Sequence, residues 1–429
     1  MITCHLLDGE FQTKTYCDFG EIARITNNFR ESLTIIPLDA LIEILDILGK
    51  RILKKSSVNS LPGVSYISLW LRRENLNRIC KVNYSDNAYL DRFLKNEMNA
   101  LMMAQPRGLL CHWIAPNMPT LGFFSVVLGI LSKNGSIVKM PEEHVDLLLG
   151  LLRELSSITV DYEGMTYSGK SILDSIAVVT FTSRLLDINK NFSLIADCRI
   201  IFGGSDAVRA ISRLPCRDHC ETIIFGPKYS FIVFEKKYIE SDKFKKSLDH
   251  IVKDVSVFNQ MACSSPHVMF IEKSRYSTEV IALWLQDAFE RLPPDLRIQN
   301  TSPGLSAKII NSRARYLLSD GKNCLFPGDV GWTILIDYDV CLEEPIQGKC
   351  IFLKEIDTVD EVIPLVSHKI QATSIGIEDP VVRDRFTKQV TYRGADRIVN
   401  PGSIHDFSLP WDGVLILNRL VRWVTLKNN

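Results

Sequence analysis

Cys263, in the run Asn259-Gln260-Met261-Ala262-Cys263-Ser264-Ser265-Pro266-His267, stands where a long helical stretch meets a short apolar strand. A thiolate attacks carbonyl carbons and exchanges with thioesters, because sulfur is both a good nucleophile and a good leaving group near neutral pH. Small neighbours leave this thiol accessible, which makes it the first candidate for covalent chemistry among eleven cysteines. A buried structural thiol is the plainer reading of any cysteine without context, and three features supply the context. Asn117, in Pro116-Asn117-Met118-Pro119, lies in a turn between a strand and an apolar helix. Its amide could donate into a cleft at the strand's carboxyl end and, with a nucleophile's backbone amide, stabilise an oxyanion; taken singly, Asn in a Pro-rich turn is ordinary turn chemistry. Phe202-Gly203-Gly204-Ser205-Asp206 sets a glycine pair between a strand and a helix, so that backbone can approach a phosphate and helix amides can meet an anion. The spaced-glycine dinucleotide fingerprint is absent, and a tight turn accounts for the pair equally well. Lys139, closing a short strand, could reach ribose hydroxyls or phosphate, or be an exposed strand-end lysine.

Other constellations are poorer. Cys216-Arg217-Asp218-His219-Cys220 offers three soft ligands, but tetrahedral zinc needs a fourth and no second Cys or His pair lies near, so no metal is expected. The sequence has no GxSxG elbow, HExxH helix or phosphate loop. His112, His144 and His368 have no triad-like spacing and read as structural or surface residues.

The elements that must position these groups follow from periodicity. A chain of 429 residues with 46% hydrophobic content is long for one core and implies two domains with appendages. Residues 1–90 mix a strand near Leu33–Pro37, an amphipathic helix over Leu38–Lys54 and a Ser-rich break at Ser56–Ser60, and a helix is expected over Asn87–Met103. From Gly108 the chain alternates: strand Leu109–Ala115, buried helix Thr120–Ser132, strand Ser136–Met140, helices Glu142–Leu155 and Ser171–Leu186, strand Cys198–Phe202, helix Ser205–Leu214 and strand Glu221–Phe225. Strand, helix, strand units of this kind make an open parallel sheet covered on both faces. The pattern resumes after the helix Ser241–Met261, which predicts a first α/β domain over 91–250, a second over 251–400 and a tail over 401–429. Fifty basic and fifty acidic residues leave no overall field to hold nucleic acid or an anionic membrane. The apolar run Leu121–Leu131 is short of the roughly 20 residues of a membrane span. An odd number of irregularly spaced cysteines and an N-terminus without signal-peptide character point to reduced thiols in the cytoplasm.

Taken in order, Pro116-Asn117-Met118-Pro119, Lys139-Met140-Pro141-Glu142, Phe202-Gly203-Gly204-Ser205 and Met261-Ala262-Cys263-Ser264-Ser265-Pro266 resemble the aldehyde dehydrogenase superfamily. More narrowly, Cys263-Ser264-Ser265-Pro266, Phe225-Gly226-Pro227-Lys228, Gly394-Ala395-Asp396-Arg397-Ile398-Val399, Asp406-Phe407-Ser408 and Trp411-Asp412-Gly413 look like the fatty-acyl thioester reductases of bacterial bioluminescence. The resemblance covers roughly residues 90–420. It implies an α/β, aldehyde dehydrogenase-like fold: a Rossmann-type nucleotide-binding domain, an α/β catalytic domain and a small oligomerisation element, hence a homo-oligomer, with room for a complex with acyl-supplying enzymes. It also implies reduction of an acyl thioester to an aldehyde by NADPH or NADH through an acyl-cysteine. Carried over by position, Cys263 is the nucleophile and Asn117 the oxyanion donor. Lys139 contacts the adenosine ribose or its phosphate, and Gly203, Gly204 and Ser205 lie under the pyrophosphate. Glu142 matches a ribose-binding carboxylate that would repel a 2'-phosphate, which leans towards NADH against the family's NADPH. Hydrolytic relatives carry a water-activating glutamate where this chain has Phe225, so the acyl adduct is expected to be spared from water. A carrier-protein thioester in place of a coenzyme A thioester, a hydrolytic aldehyde dehydrogenase, and a non-catalytic scaffold of the same fold are the competing readings.

Overall fold

The computed structural model describes residues 1–54, 63–96, 99–297, 301–406 and 410–427. The expected Ser-rich break at Ser56–Ser60, and Phe407 and Ser408 of the family motif, lie outside the described residues. The chain forms two compact units, Met1–Gly226 with Phe407–Asn429, and Pro227–Asp406. Residues 227–250, placed in the first domain from periodicity, are therefore in the second unit. The first 90 residues are part of the first unit, because the strand Ile2–Leu7 pairs antiparallel with Ile176–Thr180.

In the first unit the sheet runs, in spatial order, Glu221–Phe225, Cys198–Phe202, Leu109–Trp113, Gly135–Lys139, Ile176–Thr180, Ile2–Leu7 and Glu10–Tyr16. The first five strands are mutually parallel, and the last two add antiparallel. The chain starts this parallel set at Leu109–Trp113, steps outward through Gly135–Lys139 to Ile176–Thr180, then returns to the other side with Cys198–Phe202. Strand order thus reverses between Leu109–Trp113 and Cys198–Phe202, which makes a crevice at their carboxyl ends. Residues of Leu109–Trp113, Ile176–Thr180 and Cys198–Phe202 are buried throughout, as strands covered on both faces must be. The crossover helix Leu121–Leu131 is buried along its whole length, which explains its apolar run without a membrane. Among the described residues no helix is long and apolar enough to cross a membrane.

Three expected elements of the first unit differ. In place of a helix over Asn87–Met103 there is a 3-10 turn, Asn87–Leu90, followed by strands Leu94–Lys95 and Leu101–Pro106, the latter paired with Val421–Leu426. The Asn96 side chain accepts from the Ala100 amide at 2.9 Å and Asn99 takes φ 60°, so local Asn chemistry turns the chain where the apolar spacing suggested a helix. The helix expected over Ser171–Leu186 is split by the strand Ile176–Thr180, whose Ile-Ala-Val-Val-Thr run is rich in β-branched residues and packs in mid-sheet. Residues 33–37 form a turn ahead of the helix Leu38–Ile52, not a strand.

The second unit's sheet runs Asn323–Leu325, Thr333–Asp337, Cys350–Ile356, Pro266–Glu272, Tyr229–Phe234, Ile370–Gly376, Arg397–Val399, parallel except at the first pair. Alternate residues face opposite layers. Phe231, Phe270 and Phe352 pack towards the helices Pro303–Leu317 and Pro380–Tyr392, while Ile232, Met269 and Leu353 pack towards Lys243–Ser256 and Thr278–Glu290.

Candidate active site

The helix expected to reach Met261 ends at Ser256, and Phe258, Asn259 and Gln260 take left-handed φ angles of 54°, 51° and 62°. Each such residue costs about 1–2 kcal/mol in an L-amino acid, Asn least, so something must hold the segment there. Gln260 does so: its amide nitrogen donates to the carbonyls of Pro266 and Cys350, and its oxygen accepts from the Cys350 amide, each at 2.8 Å. The Ser265 amide then donates to Ala262 O at 2.9 Å, closing a tight turn with Cys263 and Ser264 at its centre. On the other side Ser230 donates to the Cys263 carbonyl at 2.9 Å and accepts from the Ala372 amide at 3.2 Å. The thiol-bearing turn is thus stitched to the first residues of both strands flanking Pro266–Glu272. Cys263 is half-buried, with Ser264 beside it half-buried and Ser265 buried.

His267 does not serve the thiol. Its Nε2 donates to the Glu343 carbonyl at 2.7 Å, and burial lowers its pKa to about 4, so the ring is a neutral packing group. Two motifs of the family pattern meet within this unit, since Lys228 pairs with Asp396, ahead of the two strands that flank Ile370–Gly376.

In the first unit the sequence-predicted residues gather at one edge of the parallel sheet. Asn117 is half-buried in the turn after Leu109–Trp113, and His144 Nε2 donates to the Pro116 carbonyl at 2.8 Å, fixing that turn. Gly203 and Gly204 follow Cys198–Phe202 across the switch point. A Cβ on Gly204 would meet nothing within 4 Å, and its φ of −69° does not require glycine, so the residue offers bare backbone to an approaching group. Ser205 is exposed at the first turn of the helix Ser205–Ser212. Lys139 ends the strand Gly135–Lys139, which lies on the other side of Leu109–Trp113 from Cys198–Phe202. Its ammonium donates to Ser183 Oγ at 3.2 Å and lies 5.3 Å from the Phe181 ring centre; burial lowers its pKa, with Glu143 opposing. Glu142 is exposed, three residues on. Phe225, at the carboxyl end of the outermost strand, stacks on Phe202 with ring centres 4.6 Å apart. His219 and Arg217, from the rejected zinc cluster, each donate to Asp197 at 3.0 Å.

Sequence reasoning named Asn117, Lys139, Gly203, Gly204 and Cys263 but missed Gln260 and Ser230, whose roles depend on neighbours remote in sequence. The only local signal for Gln260 is its place just ahead of the thiol.

The fold is that of the aldehyde dehydrogenases. The chain superposes with a TM-score of 0.68 on glyceraldehyde-3-phosphate dehydrogenase from Methanocaldococcus jannaschii complexed with NADP, at 12% identity over 99% of this chain and 98% of that one. It superposes at 0.67 on an NAD-dependent benzaldehyde dehydrogenase from Corynebacterium glutamicum, at 11% identity over 100% and 95%. Within that class the chain belongs to the acyl-CoA reductase (LuxC) family, whose model matches residues 44–423. A long-chain acyl-protein thioester reductase of Photorhabdus luminescens is 26% identical over 350 residues, covering 78% of this chain and 67% of that protein. The chain is therefore an oxidoreductase of the aldehyde-forming, thioester-reducing class.

Proposed function

We propose that this protein reduces a fatty-acyl thioester, carried by coenzyme A or by a protein, to the aldehyde through an acyl adduct on Cys263. The observation that carries the reading is the turn Ala262–Ser265, which presents one half-buried thiol and is tied down on both sides by side chains that have no other evident task. The residues at the first unit's switch point fit a nicotinamide dinucleotide. Bare backbone at Gly203-Gly204 and the amides opening Ser205–Ser212 suit a pyrophosphate, and Lys139 and Glu142 suit the ribose end. When bound, that cofactor supplies hydride.

The chain's own part is as follows. The Cys263 thiolate adds to the thioester carbonyl, the carbon–sulfur bond to the carrier breaks, and the carrier leaves as a thiolate that takes its proton from water. The Asn117 amide donates to the carbonyl oxygen as it gains charge. After reduction the thiohemiacetal collapses, releasing aldehyde and restoring the thiolate. Phe225 stands in sequence where hydrolytic relatives of the resemblance carry a water-activating glutamate, so on this reading no carboxylate activates water and the adduct is kept for reduction. We place this chemistry in the cytoplasm, in a homo-oligomer supplied with acyl groups by a partner enzyme.

The test is intact mass spectrometry after incubation with tetradecanoyl-coenzyme A without reductant. One acyl adduct is expected, absent in Cys263→Ala, and cleared with aldehyde release when NADPH or NADH is added. An adduct that persists in Cys263→Ala, or fatty acid as the main product, rejects the reading.

A further inference from the structure

Ser264, the second central residue of the thiol-bearing turn, has its Oγ 3.0 Å from Nδ1 of His405, and Nε2 of the same ring lies 2.7 Å from the Asp254 carbonyl oxygen. A carbonyl oxygen only accepts, so Nε2 carries the ring proton, Nδ1 is the acceptor, and the Ser264 hydroxyl donates. The ring is buried, and burial lowers its pKa to about 4, which keeps this tautomer at neutral pH. Asp254 grips the same segment twice. Its carbonyl takes His405 and its carboxylate accepts from the Gly402 amide at 2.9 Å. Arg397 adds bonds to the carbonyls of Ile404 and Asp406. At Gly402, φ is 89° and a Cβ would come 2.7 Å from His250 Cβ, so the segment fits closely over the end of the helix Lys243–Ser256. The Phe258 ring, in the left-handed stretch, meets the His405 ring edge to face at 5.9 Å. The turn therefore rests on the segment 402–405 as well as on Gln260 and Ser230.

We propose that His405 is a positioning residue for the thioester reaction, fixing Ser264, and through the Ala262–Ser265 turn the orientation of the Cys263 thiol, by a Ser264–His405–Asp254 hydrogen-bond chain. The inference rests on the reading of Cys263 as the acylated nucleophile. It assigns the Ser264 hydroxyl a bond to the imidazole, not to the substrate. Removing either end of the Ser264–His405 bond should then misplace the thiol without weakening substrate capture. Because the two residues act as one unit, losing both should cost no more than losing one.

The experiment uses the full chain, with tetradecanoyl-coenzyme A as probe and coenzyme A release as the readout of acylation in rapid mixing. Ser264→Ala and His405→Ala are each expected to slow acylation about tenfold to hundredfold, the scale of a nucleophile displaced by a fraction of an ångström to an ångström, with KM for the thioester changed less than about twofold. The double variant should match the slower single one. His405→Asn, whose side-chain oxygen can stand in for Nδ1, should recover part of the rate. Ser264→Ala is a small change in a half-buried hydroxyl, so it carries the test even if His405→Ala does not fold. Wild-type acylation rates in Ser264→Ala, or losses that multiply in the double variant, overturn the proposal while leaving Cys263 as nucleophile. Acylation that survives Cys263→Ala overturns both, and is read in a separate variant.

Discussion

The side chain of Gln260 pairs with both the amide and the carbonyl of Cys350, at 2.8 Å each, and so acts as one more rung of the sheet at the edge of the strand Pro266–Glu272. The backbone answers in kind. Gln347, Gly348 and Lys349 are left-handed like Phe258, Asn259 and Gln260, and the Gly348 amide donates to Asn259 O at 3.3 Å, so two left-handed turns face each other. A local conformation that each residue disfavours is held by bonds made only when both turns form. That gives the thiol a fixed approach at the cost of a strained support.

Gln260→Ala leaves a buried amide and two carbonyls without their partner. Each such group costs about 1–3 kcal/mol when unsatisfied, with water recovering some of it. We expect a loss of roughly 3 kcal/mol in urea unfolding, and slowed acylation in the protein that remains folded. Gln260→Glu should be worse than Ala, since a carboxylate would face the Pro266 and Cys350 carbonyls where a donor is needed. Equal stability of the Glu variant and wild type would show that the side chain does not hold this loop.

Lys354 is fully buried beside Asp337, with its ammonium 2.7 Å from Oδ1 and further bonds to Asp339 O and Glu343; Tyr316 donates to the other Asp337 oxygen. Burial is the largest single effect and opposes the charge on Lys354, but the bond and charge of Asp337 together with the Cys341 thiol outweigh it and hold the pKa above the usual lysine value. Breaking such a pair by removing one partner leaves a buried charge, typically worth about 3–5 kcal/mol. Lys354→Met should therefore unfold at markedly lower urea. Lys354→Met with Asp337→Asn, which removes both charges and keeps an acceptor for Tyr316, should recover at least half of the loss. A double variant no better than Lys354→Met would mean that packing, not charge, sets the cost.

Asp254 predicts an unusual pH dependence. Burial raises its carboxyl to about 7, against the lowering effects of the Gly402 and Ile404 amides and Arg397; Asp406 adds to the rise, and His250 and His405 lie beside the segment it grips. The folded state then keeps a proton between about pH 4 and 7 that the unfolded chain has lost, so this group makes stability fall as pH rises through that window and level off above it. The deficit above pH 7 is on the order of a few kcal/mol. Asp254→Asn removes the titration and keeps an acceptor for Gly402. Its unfolding free energy should vary less between pH 5 and 8 and should equal or exceed wild type at pH 8. An unchanged slope in urea unfolding across that range would reassign the titration to another group.

Much of the fold was legible because its signals are local. The runs Leu109–Trp113 and Cys198–Phe202 are apolar without alternation, as doubly covered strands are, and Pro116, Pro119 and Gly203-Gly204 mark their ends. Cys263 and Asn117 were legible as candidates from residue type and from the resemblance. What escaped was set by partners far along the chain. Ile176–Thr180 looked helical until it was seen between Gly135–Lys139 and Ile2–Leu7. Ser264 was visible as part of a motif, but its bond to His405 joins residues 141 positions apart, and no periodicity reports that. Gln260 was likewise an ordinary helix former in sequence, and only the strand start at Cys350 gives it work to do.

On the proposed function, cofactor choice turns on Lys139, the last residue of the strand Gly135–Lys139, and Glu142 just beyond it. Lys139 is half-enclosed against Phe181 and Ser183, whereas Glu142 is exposed just beyond the strand's carboxyl end. A carboxylate at the ribose end accepts bonds from its hydroxyls and repels a 2'-phosphate, while the lysine favours the phosphate. Screening at an exposed position limits the repulsion to about 1 kcal/mol, so Glu142→Gln should raise the ratio of kcat/KM with NADPH to that with NADH by roughly fivefold. Lys139→Met should lower kcat/KM with both cofactors, and more steeply with NADPH, because a phosphate loses an ionic partner where a hydroxyl loses a neutral contact. Steady-state rates with tetradecanoyl-coenzyme A, taken at two ionic strengths, check both. The Glu142 effect should shrink at the higher salt, and a cofactor ratio untouched by either substitution would place the ribose elsewhere on the sheet edge.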